Sequence, residues 1–255
     1  MNAGLLESRD LRIAVPGRIL VDRFACEIRP GDVIALLGGN GAGKSLLLRT
    51  LAGLRTPSAG RVLLAGRDIH EFARREVAVR LGFLPQDPEA APQGTLHDAL
   101  LLGRFAHLGF WDAAGAADAE RVSRALADTG LTPFAARELA TLSGGEQRRA
   151  AIARLLVQAP ALYLLDEPTN HLDPAQQLGI LERLRALAQQ GAAVIASLHD
   201  PNLALRFATR VFLLFGDGRV ETVSGVDLDA RHLERLYGVR YFEARAGAHR
   251  VMAPD

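Results

Sequence analysis

The most informative stretch of this chain is Val33-Ile-Ala-Leu-Leu-Gly38-Gly-Asn-Gly-Ala-Gly-Lys44-Ser45. Its apolar start predicts a buried strand, and its end leads into a segment patterned as a helix. The turn between them matches G-x-x-x-x-G-K-[S/T], a phosphate-binding loop, in the strand-loop-helix context that this motif requires. Backbone N–H groups of such a loop surround phosphate oxygens, and the positive helix end favours the same anion. The residues predicted to bind nucleotide phosphates are Gly38, Gly39, Asn40, Gly41, Ala42, Gly43, Lys44 and Ser45.

Lys44 is the only lysine among the 30 basic residues, and all the others are arginine. Lysine is a compact point charge on a slim stem, whereas arginine is a wide planar fork. A single lysine inside the loop therefore indicates a role that arginine does not fill. We predict that Lys44 reaches the β- and γ-phosphates and that the Ser45 hydroxyl binds Mg²⁺.

Composition excludes several classes of protein. The chain has 255 residues, of which 49% are hydrophobic and 23% are charged, so it can bury a core of its own. Its net charge of +1 gives no general attraction to nucleic acid or anionic lipid. Cys26 is the single cysteine, which fits a reducing compartment. No apolar run reaches the ~18–20 residues that span a bilayer, and the first residues do not resemble a secretory signal. We expect a cytoplasmic protein.

Short apolar runs alternate with longer amphipathic ones, which predicts a parallel α/β sheet. The predicted strands are 33–37, 61–64, 81–84, 162–165, 193–198 and 211–215. The predicted helices are 45–54, 96–105, 117–129, 147–158, 174–190 and 202–208. The first sixty or so residues are richer in strand, and the span from Asp87 to Ala159 is purely helical in pattern. We therefore expect an α/β core with a β-rich edge and an inserted helical subdomain.

Polar residues follow four of the apolar runs. The phosphate loop follows 33–37, Gln86 lies after 81–84, Asp166-Glu167 follow 162–165, and His199 follows 193–198. Ligands bind at the carboxyl ends of the strands in open parallel sheets, so these residues are predicted to face one site. A single polar strand end would mean little, because strands commonly end where the chain turns polar.

Each of these residues can be interpreted as part of a catalytic site or as an ordinary structural residue. Asp166 is placed to hold Mg²⁺ through its water shell, and Glu167 to polarise an attacking water. Alternatively, one of the two acids only caps the loop before Pro168. Gln86 can bridge a metal's shell and a water, and His199 can hydrogen-bond a γ-phosphate. A lone histidine is, however, more often structural.

The segment Thr141-Leu142-Ser143-Gly144-Gly145-Glu146 precedes an arginine-rich amphipathic helix. Ser143 and Glu146 have the spacing of a capping box, which would make the segment an ordinary helix start. Alternatively, two glycines and free N–H groups at a helix N-terminus form a second anion site. The residues themselves leave both interpretations open.

Six features occur in the order and spacing of the ATP-binding cassette ATPases, which the chain resembles over nearly its whole length. They are GGNGAGKS (38–45), Gln86, LSGGE (142–146), LYLLDE (162–167), NHLD (170–173) and His199. The resemblance implies an α/β fold with a P-loop NTPase core, an N-terminal antiparallel β-subdomain and an inserted α-helical subdomain. Residues 1–86 and 160–255 would form the core with its β-subdomain, and residues 87–159 the helical subdomain.

The resemblance also implies a mechanism. Two copies would form a head-to-tail dimer, with each ATP between the phosphate loop of one copy and LSGGE of the other. Ser143 and Gly145 would then meet the γ-phosphate, with Gly144 and Glu146 beside them. Glu167 would be the general base, His199 the γ-phosphate sensor, and Asp173 part of the loop linking the two sites. Mg²⁺ would be bound by Ser45, Gln86 and, through water, Asp166. Gln86 would couple the site to a membrane partner, whose cytoplasmic helix would sit in a groove of the helical subdomain.

The chain departs from the family pattern at two places. No aromatic residue occurs in Leu11-Arg-Ile-Ala-Val15-Pro-Gly-Arg18, where family members often stack one on adenine. Val15 or Arg18 is the alternative contact with the base. Leu46, which we include among the ATP-binding positions, occupies a place where the family usually has threonine.

TLHDALLLGRFAH (95–107), SLHDPNLA (197–204) and RLYGV (235–239) are similar to segments in the ATPases of iron-siderophore, haem and vitamin B12 importers. This implies a peripheral subunit at the cytoplasmic face of the inner membrane. Its partners would be a multi-span permease and, indirectly, a periplasmic substrate-binding protein. Alternatives are the ATPase of another importer or exporter class, a non-transport ATPase acting on ribosomes or DNA, and a regulatory cassette without turnover. No basic patch supports a nucleic-acid partner, and Glu167 and His199 argue against loss of turnover.

Overall fold

The structure, a computed structural model, describes residues 4–86, 93–109, 112–247 and 249–255. Its strands are β1 (Leu6–Val15), β2 (Arg18–Ile28), β3 (Val33–Leu37), β4 (Ala59–Leu64), β5 (Arg67–Asp68), β6 (Leu81–Leu84), β7 (Leu162–Leu165), β8 (Ala193–Ser197), β9 (Arg210–Leu214), β10 (Val220–Ser224), β11 (Tyr241–Ala246) and β12 (His249–Pro254). Its helices are α1 (Lys44–Leu51), α2 (Arg74–Arg80), α3 (Leu96–Leu101), α4 (Ala116–Asp128), α5 (Gly144–Gln158), α6 (Pro174–Gln189), α7 (Pro201–Phe207) and α8 (Ala230–Tyr237).

The central sheet has the strand order β10-β9-β3-β8-β7-β6. Strands β9, β3, β8, β7 and β6 run parallel to their neighbours, and β10 is an antiparallel edge strand. The carboxyl ends of β3, β6, β7 and β8 therefore meet at one edge of the sheet, which confirms the predicted parallel α/β core.

Side chains alternate between the two faces of this sheet and are covered on both. Ile34 and Leu36 pack with α1 and with an antiparallel sheet of order β2-β1-β4-β5. Phe24 of that sheet meets Phe212 of β9 edge to face, with ring centroids 5.2 Å apart. Ala35 and Leu37 pack on the other face with residues of α5, α6 and α7. The β-rich N-terminal region is thus the predicted antiparallel unit.

The described elements between β6 and β7 are all helical. Helices α3, α4 and α5 share a core of their own, formed by residues such as Leu96, Val122, Leu126 and Val157. Helix α5 also places Ile152 and Leu155 against the central sheet, so it connects the helical region to the core. The predicted start of the helical span, Asp87, lies outside the described residues.

Several elements differ from the sequence prediction. The helix predicted over 96–105 ends at Leu101 and continues as a 3₁₀ turn over Leu102–Arg104. Gly103 of this turn packs so closely on α5 that a Cβ there would lie 2.5 Å from the Arg154 carbonyl oxygen. Helices α2 and α8 and the hairpin of β11 and β12 were not predicted. None of the described helices is both long enough and apolar enough to cross a membrane.

Candidate functional site

The phosphate loop connects β3 to α1 at the carboxyl edge of the sheet. Gly43 precedes the first residue of α1 and has a φ of 103°, a conformation that side chains other than glycine rarely adopt. At the other end of the loop, a Cβ on Gly38 would lie 2.6 Å from the Leu214 carbonyl oxygen. Glycine at these two positions therefore allows the tight turn that directs Lys44 and Ser45 onto the start of a helix.

Lys44 is only 6% exposed. Its Nζ donates hydrogen bonds to the carbonyl oxygens of Gly38 and Gly39, at 2.7 and 3.3 Å. Burial lowers the pKa of Lys44, while the carboxylates of Glu167 and Asp166 act in the opposite direction. The loop ammonium and the two strand-end acids are thus close enough to influence one another electrostatically.

Asp166 is completely buried at the end of β7. Its Oδ1 accepts a hydrogen bond of 2.7 Å from the hydroxyl of Ser197 on β8. Its Oδ2 is buried and has no hydrogen-bond partner among the residues that the structure describes. A buried carboxylate oxygen of this kind usually has a water or an ion as its partner, and oxygen ligands of this kind suit a hard divalent cation.

The Glu167 carboxylate contacts three other side chains. Its Oε2 accepts hydrogen bonds from the Gln86 amide, at 3.0 Å, and from the Asn170 amide. Its Oε1 lies 2.6 Å from Nε2 of His199. The structure therefore brings together three of the predicted residues, Gln86, Glu167 and His199. Asn170 belongs to the NHLD segment, but no sequence pattern indicates this contact.

The backbone of Glu167 has a φ of 51°, in the left-handed region that is uncommon for a residue with a side chain. Its N–H donates to the Ser197 hydroxyl at 2.8 Å, and the same hydroxyl binds Asp166. Ser197 thus orients both strand-end acids from the neighbouring strand. Sequence reasoning did not identify Ser197, because its partners lie about thirty residues earlier in the chain.

Replacing Ser197 with alanine is expected to destabilise the protein. The change removes a buried partner from Asp166 and from the Glu167 N–H, and each unsatisfied buried group costs about 1–3 kcal/mol. Thermal melting should show the loss, with Ser123→Ala as control, since the Ser123 hydroxyl lies on the exposed side of α4. Equal melting temperatures of Ser197→Ala and wild type would contradict the bridging role.

The LSGGE segment forms the start of α5. Ser143 accepts a hydrogen bond from the Glu146 N–H, and Glu146 Oε2 accepts from the Ser143 N–H and hydroxyl at 2.7 and 2.8 Å. These bonds lower the pKa of Glu146 and confirm the capping box. Ser143 and Gly144 are exposed, and the described hydrogen bonds of this turn do not reach the phosphate loop of the same chain.

Of three further predicted positions, Leu46 and Arg18 lie near the loop. Leu46 is half-buried against the core that contains α1. Arg18 donates from Nε to the Gly216 carbonyl oxygen at 2.8 Å, and Gly216 lies close to Ala42 of the phosphate loop. The guanidinium of Arg18 is therefore a neighbour of the loop. Val15 is half-buried at the end of β1.

The phosphate loop, together with the acids and polar side chains at three neighbouring strand ends, defines a nucleoside triphosphatase of the phosphate-loop class. A family described as ABC transporter matches residues 21–170. The chain is 43% identical over 217 residues to the hemin import ATP-binding protein HmuV of Rhodopseudomonas palustris (strain BisA53), covering 82% of this chain and 78% of that protein. It is 37% identical over 238 residues to the ferric enterobactin transport ATP-binding protein FepC of Escherichia coli (strain K12), covering 92% and 88%.

A solved structure described as an inward-facing conformation of an ABC transporter of metal-chelate type is also similar. It superposes with a TM-score of 0.83 at 28% sequence identity, over 98% of this chain and 97% of that one. The chain belongs to the ABC transporter family. It is an ATPase, and a membrane permease is the partner that membership of this family implies.

Proposed function

We propose that the chain hydrolyses ATP with Glu167 as the general base. The observation that carries the proposal is the position of Gln86 and His199 on the Glu167 carboxylate, at the edge of the sheet that also holds Lys44 and Asp166. Glu167 orients the attacking water and takes its proton. Lys44 and the backbone of residues 38–46 stabilise the charge on the phosphates, and His199 donates to the γ-phosphate.

We also propose that Mg²⁺ accompanies ATP. The Ser45 hydroxyl and the Gln86 amide oxygen would hold it directly, and Asp166 would hold it through a water. The buried Asp166 Oδ2, which has no hydrogen-bond partner among the described residues, supports this arrangement. All three groups are oxygen ligands, which Mg²⁺ prefers. When bound, Mg²⁺ neutralises charge that develops on the β- and γ-phosphates.

The reaction is proposed to power import of a metal chelate of the iron-siderophore, haem or cobalamin type. The names of the hemin and ferric enterobactin relatives support this cargo class, as does the metal-chelate type of the similar structure. The chain would be peripheral, at the cytoplasmic face of the inner membrane. There it would be bound to a multi-span permease that receives cargo from a periplasmic substrate-binding protein.

Two copies are proposed to act as a head-to-tail dimer. Ser143, Gly144, Gly145 and Glu146 of one copy would close over ATP held by the phosphate loop of the other. The exposure of Ser143 and Gly144 supports this, because it leaves the start of α5 open to a second copy. ATP would close the dimer, and this closure would move the permease. Hydrolysis would then open the dimer and return the permease to its starting state.

Residues 87–159 are proposed to be an inserted helical subdomain that receives the permease. Support comes from Leu102 and Phe105, large apolar residues that are 52% and 75% exposed after α3. Aromatic residues such as Phe105 are enriched at protein interfaces relative to the rest of the surface. A cytoplasmic helix of the permease would cover them.

Capture from membranes tests the proposed function. A tagged Glu167→Gln protein, held in ATP, is added to detergent-solubilised native membranes and recovered, and mass spectrometry identifies what is bound. We expect one multi-span permease. Recovery of only soluble proteins, ribosomes or nucleic acid would contradict a transport role.

Phe105→Ser in the same background is the matched variant. Loss of a central apolar contact typically costs an interface about 2 kcal/mol or more, so permease recovery should fall steeply. ATP binding should not change, because Phe105 is exposed and lies outside the nucleotide site. Undiminished recovery would locate the permease contact elsewhere on the chain.

A further inference from the structure

A buried guanidinium contacts the main chain of the residues proposed for catalysis. Arg148, the fifth residue of α5, is only 5% exposed. Its Nη1 donates to the carbonyl oxygens of Pro85 and Gln86 at 2.7 and 3.1 Å. Its Nη2 donates to the carbonyl oxygen of Asp166 and, at 2.8 Å, to that of Glu167. One side chain thus binds both segments that follow β6 and β7.

These contacts require arginine rather than any other cation. A guanidinium presents five N–H donors in a fixed plane, and here two of its nitrogens each serve two carbonyl oxygens. Lysine has a single nitrogen and cannot reach carbonyl oxygens on both segments in the same geometry. The arrangement fixes the spacing between the two strand ends as well as the direction of their carbonyl groups.

The backbone that Arg148 binds is the strained one at Glu167, whose φ is 51°. Such a conformation persists only where surrounding contacts enforce it. The Ser197 hydroxyl accepts from the Glu167 N–H, and Arg148 donates to the Glu167 carbonyl oxygen on the other side. The two contacts together set the direction in which the Glu167 carboxylate leaves the main chain.

Arg148 is also rigidly joined to the LSGGE segment. It lies about one helical turn after Gly144, in the same uninterrupted helix whose capping box is formed by Ser143 and Glu146. A shift of that helix end therefore moves the guanidinium, and through it the main chain of Gln86 and Glu167. Conversely, a shift of the main chain at Gln86 and Glu167 moves the guanidinium and, with it, the start of the helix.

We infer that Arg148 is a positioning residue that couples the location of the LSGGE helix to the placement of the Glu167 carboxylate. The inference rests on the proposed function, since it assigns Arg148 to the hydrolytic step with Glu167 as base. Closure of a second copy on LSGGE would thereby align the base. An LSGGE helix in the wrong position would hold the base out of line, which links hydrolysis to the state of the dimer.

The test is the kinetics of Arg148→Lys. Because a displacement of about 1 Å in a catalytic group costs about 10²-fold in rate, kcat for ATP should fall by about that factor. ATP affinity, measured by calorimetry, should stay close to the wild-type value, as expected for an ordinary surface substitution. In a Glu167→Gln background the same change should lower the residual rate no further, since residues that act as a unit are not additive.

Arg149→Lys is the matched control. Arg149 is the next residue of α5 and anchors the helix to the carbonyl oxygens of Thr129 and Gly130, away from the strand ends. It should lower the melting temperature without lowering kcat. Equal losses of kcat in the two variants would show that Arg148 only stabilises the helix. A full additional loss in the Glu167→Gln background would show that Arg148 does not act through Glu167. Either result overturns the inference.

If Arg148→Lys does not fold, Arg148→Gln is measured by the same criteria, because it removes the charge that must be buried and keeps an amide donor. Failure of the proposed function itself is recognised separately. In that case wild-type protein would not hydrolyse ATP, or Glu167→Gln would hydrolyse it at the wild-type rate, whatever the Arg148 variants do.

Discussion

Glu167→Gln is expected to bind ATP at least as tightly as wild type and to hydrolyse it about 10²- to 10⁴-fold more slowly, the usual contribution of a positioned general base. The amide has no basic oxygen to take a proton from the attacking water. It also removes a negative charge near the phosphates, which can only reduce repulsion of ATP. Binding and turnover should therefore separate completely in this variant.

The surroundings of Glu167 accept the substitution without loss of hydrogen bonds. A glutamine oxygen in the place of Oε2 still accepts from the amides of Gln86 and Asn170. Its NH₂ group then faces Nε2 of His199, which accepts in one of the two neutral tautomers. The fold is expected to remain intact, so a low rate reports the missing base.

Calorimetry with ATP and a steady-state phosphate-release assay make the two measurements. Glu182→Gln is a suitable control, since the Glu182 side chain is 62% exposed on α6. The kcat of this variant should stay close to the wild-type value, as expected for a surface substitution. Size-exclusion chromatography adds a third measurement. Because hydrolysis is proposed to open the dimer, Glu167→Gln should accumulate as a dimer when ATP is present. Wild-type turnover by Glu167→Gln would show that another group acts as the base.

The parallel core and most of the site could be predicted because their signals are local. A strand followed by G-x-x-x-x-G-K-S, four polar strand ends and the Ser143–Glu146 spacing are each visible within a few residues. Helix α8 also has local signals that the prediction missed. Asp229 caps it, and Gly238 ends it with a φ of 71°.

The positions of Arg148 and Ser197 could not be predicted in the same way. In the sequence, Arg148 is one arginine in an arginine-rich helix, and its acceptors are main-chain carbonyl groups that every residue has. Ser197 is one of several small residues at the end of an apolar strand. Their roles arise only when β6, β7 and β8 pair and α5 packs across their ends.

Lys44→Ala is expected to weaken ATP binding by about 100-fold or more, since charge-assisted hydrogen bonds to two phosphates are worth about 1.5–3 kcal/mol each. The alanine variant also loses the bonds from Nζ to the carbonyl oxygens of Gly38 and Gly39, so the loop itself is less well held. Calorimetry with ATP measures the effect. Arg49→Ala, at an exposed position on the same helix, serves as the control.

Lys44→Arg distinguishes charge from shape. The site of Lys44 is nearly closed, and its ammonium reaches two carbonyl oxygens of the turn that a planar guanidinium would have to displace. Arginine should therefore restore little of the affinity that alanine removes, although the positive charge is retained. Full affinity in Lys44→Arg would show that any cation suffices and that the single lysine reflects composition alone. Unchanged affinity in Lys44→Ala would remove the phosphate-binding role of Lys44, because the remaining loop contacts would then account for all of the binding.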